Sequence, residues 1–313
     1  MISRFGQTTD RLGKSALITL FLIVTLGISS VGSLAKVDGE TVLLKQAATG
    51  HLIVEASVNG TSHKFIVDTG ASHTVFDKAA AIELKLSIQQ DNTNEGFAAG
   101  GTITSTLAEV ETLKIGNASF SNRSVFIQDL SGVVSHFDGV VGVIGQDMLV
   151  DLDAGIDLAE SILRLGISDW FKTHQAHYKT LSLTSLPIGF VTVSAELSGK
   201  PVTLIIDSGS ADVMLDKAKF DTLDLGALKI MEGAQAFGAD GNPLNIYTTP
   251  QLELTANGIL LGNRPFTVMD LSHVVTAVEA ESDAEIYGVI GNSPLRALGG
   301  IIHMKAKKLY IKG

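Results

Sequence analysis

One short acidic motif occurs twice in this chain. Asp68-Thr69-Gly70 returns as Asp207-Ser208-Gly209, each behind a run of β-formers: Lys64-Phe65-Ile66-Val67 in the first case, Thr203-Leu204-Ile205-Ile206 in the second. Each is followed, after a similar stretch, by the same four residues, Gly142-Val143-Ile144-Gly145 and Gly288-Val289-Ile290-Gly291. A chain with one carboxylate per half, each on a strand-to-glycine turn, can bring the two together across a pseudo-twofold axis. Two carboxylates in contact resist ionising together, so they share a proton and can work as an acid–base pair on water.

The repeat extends beyond the motif. Setting Gly50 on Gly189 places Val54 on Val193, Gly60 on Gly199, Asp68 on Asp207 and Asp77-Lys78-Ala79 on Asp216-Lys217-Ala218 without a gap. The register then drifts, so that Phe97 pairs with Phe237 and Asp129-Leu130-Ser131 with Asp270-Leu271-Ser272. Small loop insertions in the second half account for the drift. The chain therefore divides into a leading segment over 1–35, a first unit over 42–165, a connector over 166–182 and a second unit over 183–313.

Each unit reads as short strands and tight turns. His51–Val58 and Phe190–Leu197 are expected strands, closed by the hairpin signals Asn59-Gly60 and Ser198-Gly199. Glu109–Ile115, Ser124–Ile127, Gln251–Leu254 and Pro265–Met269 are further strands. Phe76–Leu86 and Leu215–Asp224 read as short helical segments. Ser293-Pro294 supplies an N-cap and a first-turn proline for a short helix after Gly291, and Asp147 has the same role after Gly145. With 32 glycines, 6 prolines and 45% hydrophobic residues, the fold expected is all-β, in two homologous barrel-like lobes with few short helices. The net charge of −10 and the lack of a long basic run exclude nucleic acid as a partner. The chain has no cysteine, which removes disulfides, thiolate catalysis and Cys-based zinc sites.

The leading segment has export character. Arg4, Arg11 and Lys14 precede an apolar run over Ala16–Ile28, and Ser33-Leu34-Ala35 offers small residues at signal-peptidase spacing. Ser15 to Ala35 carries no charge, and its roughly 20 residues also suffice to span a bilayer. Two alternatives stand, a cleaved signal or a retained membrane anchor. Both place the remainder outside the cytoplasm, in the periplasm or the medium.

A lone Asp-Thr-Gly is ordinary turn chemistry. Two copies at one repeat position, both at the inner ends of apolar strands, are harder to attribute to turns, since a buried carboxylate is costly. Gly70 and Gly209 permit close approach of the backbone, and their amides can donate to the carboxylates. Thr69 and Ser208 carry hydroxyls that can bond the opposite loop. The Gly-Val-Ile-Gly strands can thread beneath the Asp loops. Together these features resemble the aspartic protease clan of pepsins and retroviral-type proteases. Asp68-Thr69-Gly70-Ala71-Ser72-His73-Thr74-Val75-Phe76 is similar to the retropepsin form of the motif, and Asp207-Ser208-Gly209-Ser210 to the second pepsin motif. The resemblance implies an aspartic endopeptidase in which Asp68 and Asp207 activate one water, acting on an extended peptide, with no metal or organic cofactor. A single chain holding both halves implies a monomer. The alternative is a catalytically inactive peptide-binding protein on the same scaffold.

The resemblance also implies flaps over a cleft. Gly96-Phe97-Ala98-Ala99-Gly100-Gly101 and Ala236-Phe237-Gly238-Ala239-Asp240-Gly241 stand at suitable distances after the two aspartates, with Phe97, Ala98, Gly100, Phe237 and Gly238 as substrate-binding candidates. Two departures stand out. Retropepsins carry Arg after the last glycine of the apolar element, where this chain has Gln146 and Asn292, so the bonds of that Arg must be replaced. Asp212 stands where the first unit has His73, close enough to perturb the dyad or else to sit solvated at the surface. His174 with His177, and Asp151, Asp153, Asp157 and Glu160, have metal-like spacing but lack the partners or the glycine placement of a metal site.

Overall fold

The computed structural model describes residues 17–19, 24–25, 33–34, 39–98, 101–187, 189–232, 235–237 and 243–313. Its two halves repeat one plan. A hairpin, Leu52–Val58 against Thr61–Val67, leads into the first Asp turn, and Val191–Leu197 against Lys200–Ile206 leads into the second. The turn residues Asn59-Gly60 (φ 48° and 90°) and Ser198-Gly199 (φ 46° and 80°) are both left-handed, as a two-residue hairpin of matching twist requires.

The apolar runs before the aspartates have a simple cause. Their sheets are buried on both faces, so alternate residues enter different cores. Phe65 and Val67 join the large central core while Ile66 faces a satellite core with Val75, Leu107 and Phe126. Leu204 and Ile206 repeat the first arrangement, and Ile205 faces a satellite core with Met214, Met269 and Val275.

Val140–Ile144 and Gly288–Ile290 thread between the two arms of their Asp loops. Val143 runs parallel to Ile66 and antiparallel to Val75; Val289 runs parallel to Ile205 and antiparallel to Met214. Glycine is required here by contact. A Cβ on Gly145 would stand 2.4 Å from the His73 carbonyl oxygen, and one on Gly291 would stand 2.3 Å from that of Ser210.

A six-stranded sheet joins the halves. Its order is Tyr178–Ser182, Lys308–Lys312, Ile301–His303, Gly155–Asp157, Ile162–Leu165, Glu40–Leu43. At its centre Ile156 faces Ile302 across an antiparallel pair, which sets the pseudo-twofold axis between equivalent residues of the two repeats.

Several local expectations need adjustment. The helical segments begin later than expected: Val75–Asp77 and Met214–Asp216 are strands, and the helices are Lys78–Glu83 and Lys217–Asp221. Asp77 and Asp216 cap them, and each also accepts from a backbone amide across the lobe, Leu130 and Leu271 respectively. Neither Asp147 nor Ser293 is an N-cap. The helices Gln146–Asp151 and Asn292–Ala297 are capped by Gly145 and Gly291 without a side-chain bond, because the backbone must leave the Asp loop one residue earlier. The connector is more ordered than its mixed composition implied: Ile167–His174 is helical, and Phe171 packs against Tyr310 at 3.7 Å between ring centres. A helix over Ser272–Ala280 was not anticipated. Among the described residues no helix is long and apolar enough to cross a membrane.

Gly291→Ala is expected to destabilise the fold by about 1–3 kcal/mol through overpacking against the Ser210 carbonyl. Urea unfolding of the purified variant checks this; an unchanged midpoint would contradict the threading geometry.

Candidate active site

The two Asp loops meet at the centre of the molecule. Asp68, Thr69, Asp207 and Ser208 are fully buried. Thr69 Oγ1 donates to the Ile206 carbonyl and accepts from the Ser208 amide, each at 2.9 Å. In mirror fashion Ser208 Oγ donates to the Val67 carbonyl at 3.0 Å and accepts from the Thr69 amide at 2.9 Å. Four buried bonds thus cross between repeats, each worth roughly 0.5–1.5 kcal/mol net. They fix the loops in register and satisfy amides and carbonyls that would otherwise be orphaned.

This lock positions the carboxylates. The Gly70 amide donates to Asp68 Oδ1 at 2.6 Å, and the Gly209 amide to Asp207 Oδ1 at 2.8 Å. The second oxygen of each carboxyl, Asp68 Oδ2 and Asp207 Oδ2, is buried with no hydrogen-bond partner among the described residues, and each carboxyl influences the titration of the other. Gly209 also faces the opposite aspartate: a Cβ there would stand 2.5 Å from Asp68 Cγ, so any larger residue would push the loops apart. The structure thus brings Asp68, Thr69, Gly70, Asp207, Ser208 and Gly209 together at the seam.

Electrostatics follow from burial. Loss of solvent pushes the Asp68 carboxyl up to about 7, against lowering by the neighbouring Asp207 carboxyl and by backbone amides. Burial also drives Asp207 well above the ordinary carboxylate range, helped by the charge on Asp68. The proton belongs to the pair.

Beneath the loops, two carboxamides do the work expected of a missing arginine. Gln146 Nε2 donates to the Thr69 carbonyl at 2.7 Å, and Asn292 Nδ2 to the Ser208 carbonyl at 2.8 Å. The sequence marked these positions as departures but did not give their partners. It also missed two arginines. Arg123 is buried and bonds Asp151 at 2.6 Å and Asp147 at 3.1 Å. Asp147 in turn accepts from Thr74 Oγ1 at 2.8 Å. In the second repeat Arg264 pairs with Asp212. Asp212 is therefore held by an arginine at the loop's outer side, and burial and Asp68 account for the raised titration of Asp207. Arg123 and Arg264 stand at equivalent positions in the register that pairs Asp129 with Asp270, a signal that was open to sequence reading.

The flap candidates lie on hairpins. Ser87–Ala98 pairs with Gly101–Ile115, with Ala98 opposite Gly101 and Phe97 opposite Thr102. In the second hairpin Phe237 lies opposite Pro243 and Ala236 opposite Leu244. Gly100 and Gly238 lie outside the described residues. The metal-like groupings are spent on other bonds. His174 stacks on Trp170 at 4.1 Å between ring centres. Asp153 bonds Ser168 and His303, and Asp157 bonds Arg164. Among the described residues no group of three or more His, Asp or Glu is placed to hold a metal ion.

Comparison with known proteins gives a family match over part of the chain and a likeness in fold. Residues 54–151 match the family model described as gag-polyprotein putative aspartyl protease. Among solved structures, the chain is similar to an aspartic proteinase from Irpex lacteus, with a TM-score of 0.53 and 15% identity over 88% of this chain and 97% of that one. It is also similar to Basic 7S globulin from soybean, with a TM-score of 0.50 and 10% identity over 88% and 95%. A retropepsin-like aspartic protease from Rickettsia conorii matches at 23% identity and a TM-score of 0.32, over 42% of this chain and 100% of that one. No curated protein sequence matches. One fold thus carries the names of a proteinase and of a globulin, and the chemistry must be argued from the site.

The raised titrations carry a stability consequence. A folded-state pKa above the unfolded value gives stability that is complete below the unfolded value and is lost as pH rises through the folded one. For Asp68 the window runs from 3.8 to about 7. The protein is expected to lose on the order of 4 kcal/mol across it from this group, and Asp68→Asn should flatten the loss. Urea midpoints at pH 4 and pH 8 for both proteins check it; parallel curves would contradict the buried, raised carboxyl.

Proposed function

We propose that this chain is a member of the retropepsin- and pepsin-like aspartic proteases, supported by the partial family match and the fold, and an endopeptidase whose Asp68/Asp207 pair activates water. The observation that supports this most directly is the contact of two buried carboxyls at the seam of the repeat, each held by a glycine amide. One carboxylate takes a proton from water as the water oxygen bonds to the scissile carbonyl carbon. The other carboxyl gives its proton to the carbonyl oxygen, forming a gem-diol. Collapse of that intermediate breaks the C–N bond while a proton passes to the leaving amine. No metal or organic group enters this sequence.

Four inter-loop bonds and two glycine amides hold the reactive oxygens without reorganisation, which is what electrostatic stabilisation of a transition state needs. The substrate is an extended peptide, bound as a strand through its backbone beneath the hairpins. Because one chain supplies both carboxyls, the active species is a monomer. Its leading segment directs it outside the cytoplasm, whether cleaved or kept as an anchor.

Hydrolysis of an unfolded protein tests the reading. Asp68→Asn and Asp207→Asn should each lower kcat/KM by at least about 10³, and the double variant should lose little more, because the pair acts as a unit. Residual activity equal to the wild type in either variant would favour a peptide-binding protein instead. Only the singly protonated pair is competent, so the acid limb of the pH profile should lie near the raised Asp68 value of about 7. A limb near pH 4 would sink the assignment of that shift to the working enzyme. Sedimentation of the active species should give a monomer.

A further inference from the structure

An open pocket of about 460 Å³ lies beside the second Asp loop, lined by Thr49 and Gly50 from the first repeat and by Asp212, Ser293, Arg296 and Ala297 from the second. Neither Asp68 nor Asp207 lines it. Its volume is that of a small-ligand site. A difference between the repeats accounts for it. In the register that sets Gly145 on Gly291, Asp147, Val150 and Asp151 stand on Ser293, Arg296 and Ala297. Arg123 bonds both acids of the first helix. The second helix, Asn292–Ala297, carries no acid, and Arg264, the equivalent of Arg123, bonds Asp212 instead. Small side chains and an arginine with no counterpart in the first repeat are left around an open space.

The charge in this pocket is unbalanced. Asp212 is neutralised by Arg264. Arg296 gives its Nε to the Leu158 carbonyl at 2.8 Å, and its Nη2 is buried without a hydrogen-bond partner among the described residues. Burial alone pushes Arg296 below the ordinary arginine range, as befits a cation that has lost water and gained no counter-charge. One turn earlier on the same helix face, Asn292 gives its Nδ2 to the Ser208 and Gly50 carbonyls at 2.8 Å and 3.5 Å. Asn292 also lines the pocket and is 1% exposed, and its Oδ1 has no donor among the described residues. The site thus lacks an anion at Arg296 and a hydrogen-bond donor at Asn292. Ala48, Ala211 and Ala297 supply a small apolar wall.

We propose that this pocket binds a carboxylate that follows an amide N–H, the chemistry of an N-acylated amino acid or of the C-terminal residue of a peptide. Arg296 takes the carboxylate through charge-assisted hydrogen bonds, and Asn292 Oδ1 accepts the N–H. A small apolar side chain, such as that of alanine, rests on the alanine wall. The site is separate from the carboxyl pair and does not depend on the endopeptidase reading. Because Asn292 also holds the Ser208 carbonyl, an occupant bears directly on the second Asp loop.

Calorimetric titration of the full chain decides the matter, with Asp68→Asn present so that no peptide is cut. N-acetylalanine should bind with a dissociation constant below about 1 mM, and its uncharged amide at least about tenfold more weakly. Arg296→Val copies Val150 of the first repeat and should weaken the acid at least about tenfold. Ala297→Asp copies Asp151, leaves the arginine in place and sets an acid at the pocket wall, with the same expected loss. Ala297 is exposed, so this variant decides alone if Arg296→Val fails to fold by circular dichroism. Equal binding of acid and amide, unchanged binding by a folded variant, or no binding of the acid at about 10 mM would overturn the proposal. Acetylated tetra-alanine binding at least about tenfold tighter than N-acetylalanine would assign the site to chain ends, and equal affinity would assign it to small acylated amino acids. Binding of the acid with no hydrolysis by the wild type would leave the pocket standing and remove only the endopeptidase reading.

Discussion

Everything in the centre of this molecule depends on two hydroxyls crossing a seam. Thr69 and Ser208 each donate to a carbonyl at the end of the opposite apolar strand and each accept from the opposite loop's amide. Without those bonds, the ends of two buried strands would meet with unsatisfied backbone groups, at a cost comparable to the hydrogen bonds lost. With them, the two loops become one rigid unit, and two acidic side chains are forced into a contact that neither would adopt in water.

That contact is unfavourable by itself. Burial raises both carboxyls, and the charge on Asp68 further raises Asp207. The surrounding structure offsets the cost through glycine amides aimed at the carboxylates, threaded strands that fill the space below, and a six-stranded sheet that prevents the halves from separating. Such stored electrostatic strain is common where chemistry is done. It is also why glycine recurs at Gly145, Gly209 and Gly291, since a side chain at any of them would collide with a loop or with the carboxyl itself.

The two repeats solve one problem with different parts. Beneath the loops, Gln146 and Asn292 do equivalent work from equivalent positions. Beside them the solutions diverge: Arg123 bonds acids that follow Gly145, whereas Arg264 bonds Asp212 within the second Asp loop. The change of Thr74 to Val213 goes with this divergence, because Thr74 donates to Asp147 in the first repeat. Duplicated chains can drift in this way wherever the carbonyl and amide partners they must satisfy remain satisfied.

What the sequence determined by itself was the duplication and its consequences. Strand-to-glycine aspartates, hydroxyls after them, hairpin turns at Asn59-Gly60 and Ser198-Gly199, and glycines beneath the loops all follow from local residue chemistry repeated in register. Helix caps were misplaced at Asp147 and Ser293, and the partners of Arg123, Gln146, Asn292 and Asp212 were not legible. Those depend on which groups meet across tens to hundreds of residues, and spacing along a chain does not encode that. Only the tertiary structure decided that the two Asp loops lock together, that solvent is excluded from their carboxyls and that their titration is raised. Each of these is a property of surfaces brought together, which no stretch of residues possesses alone.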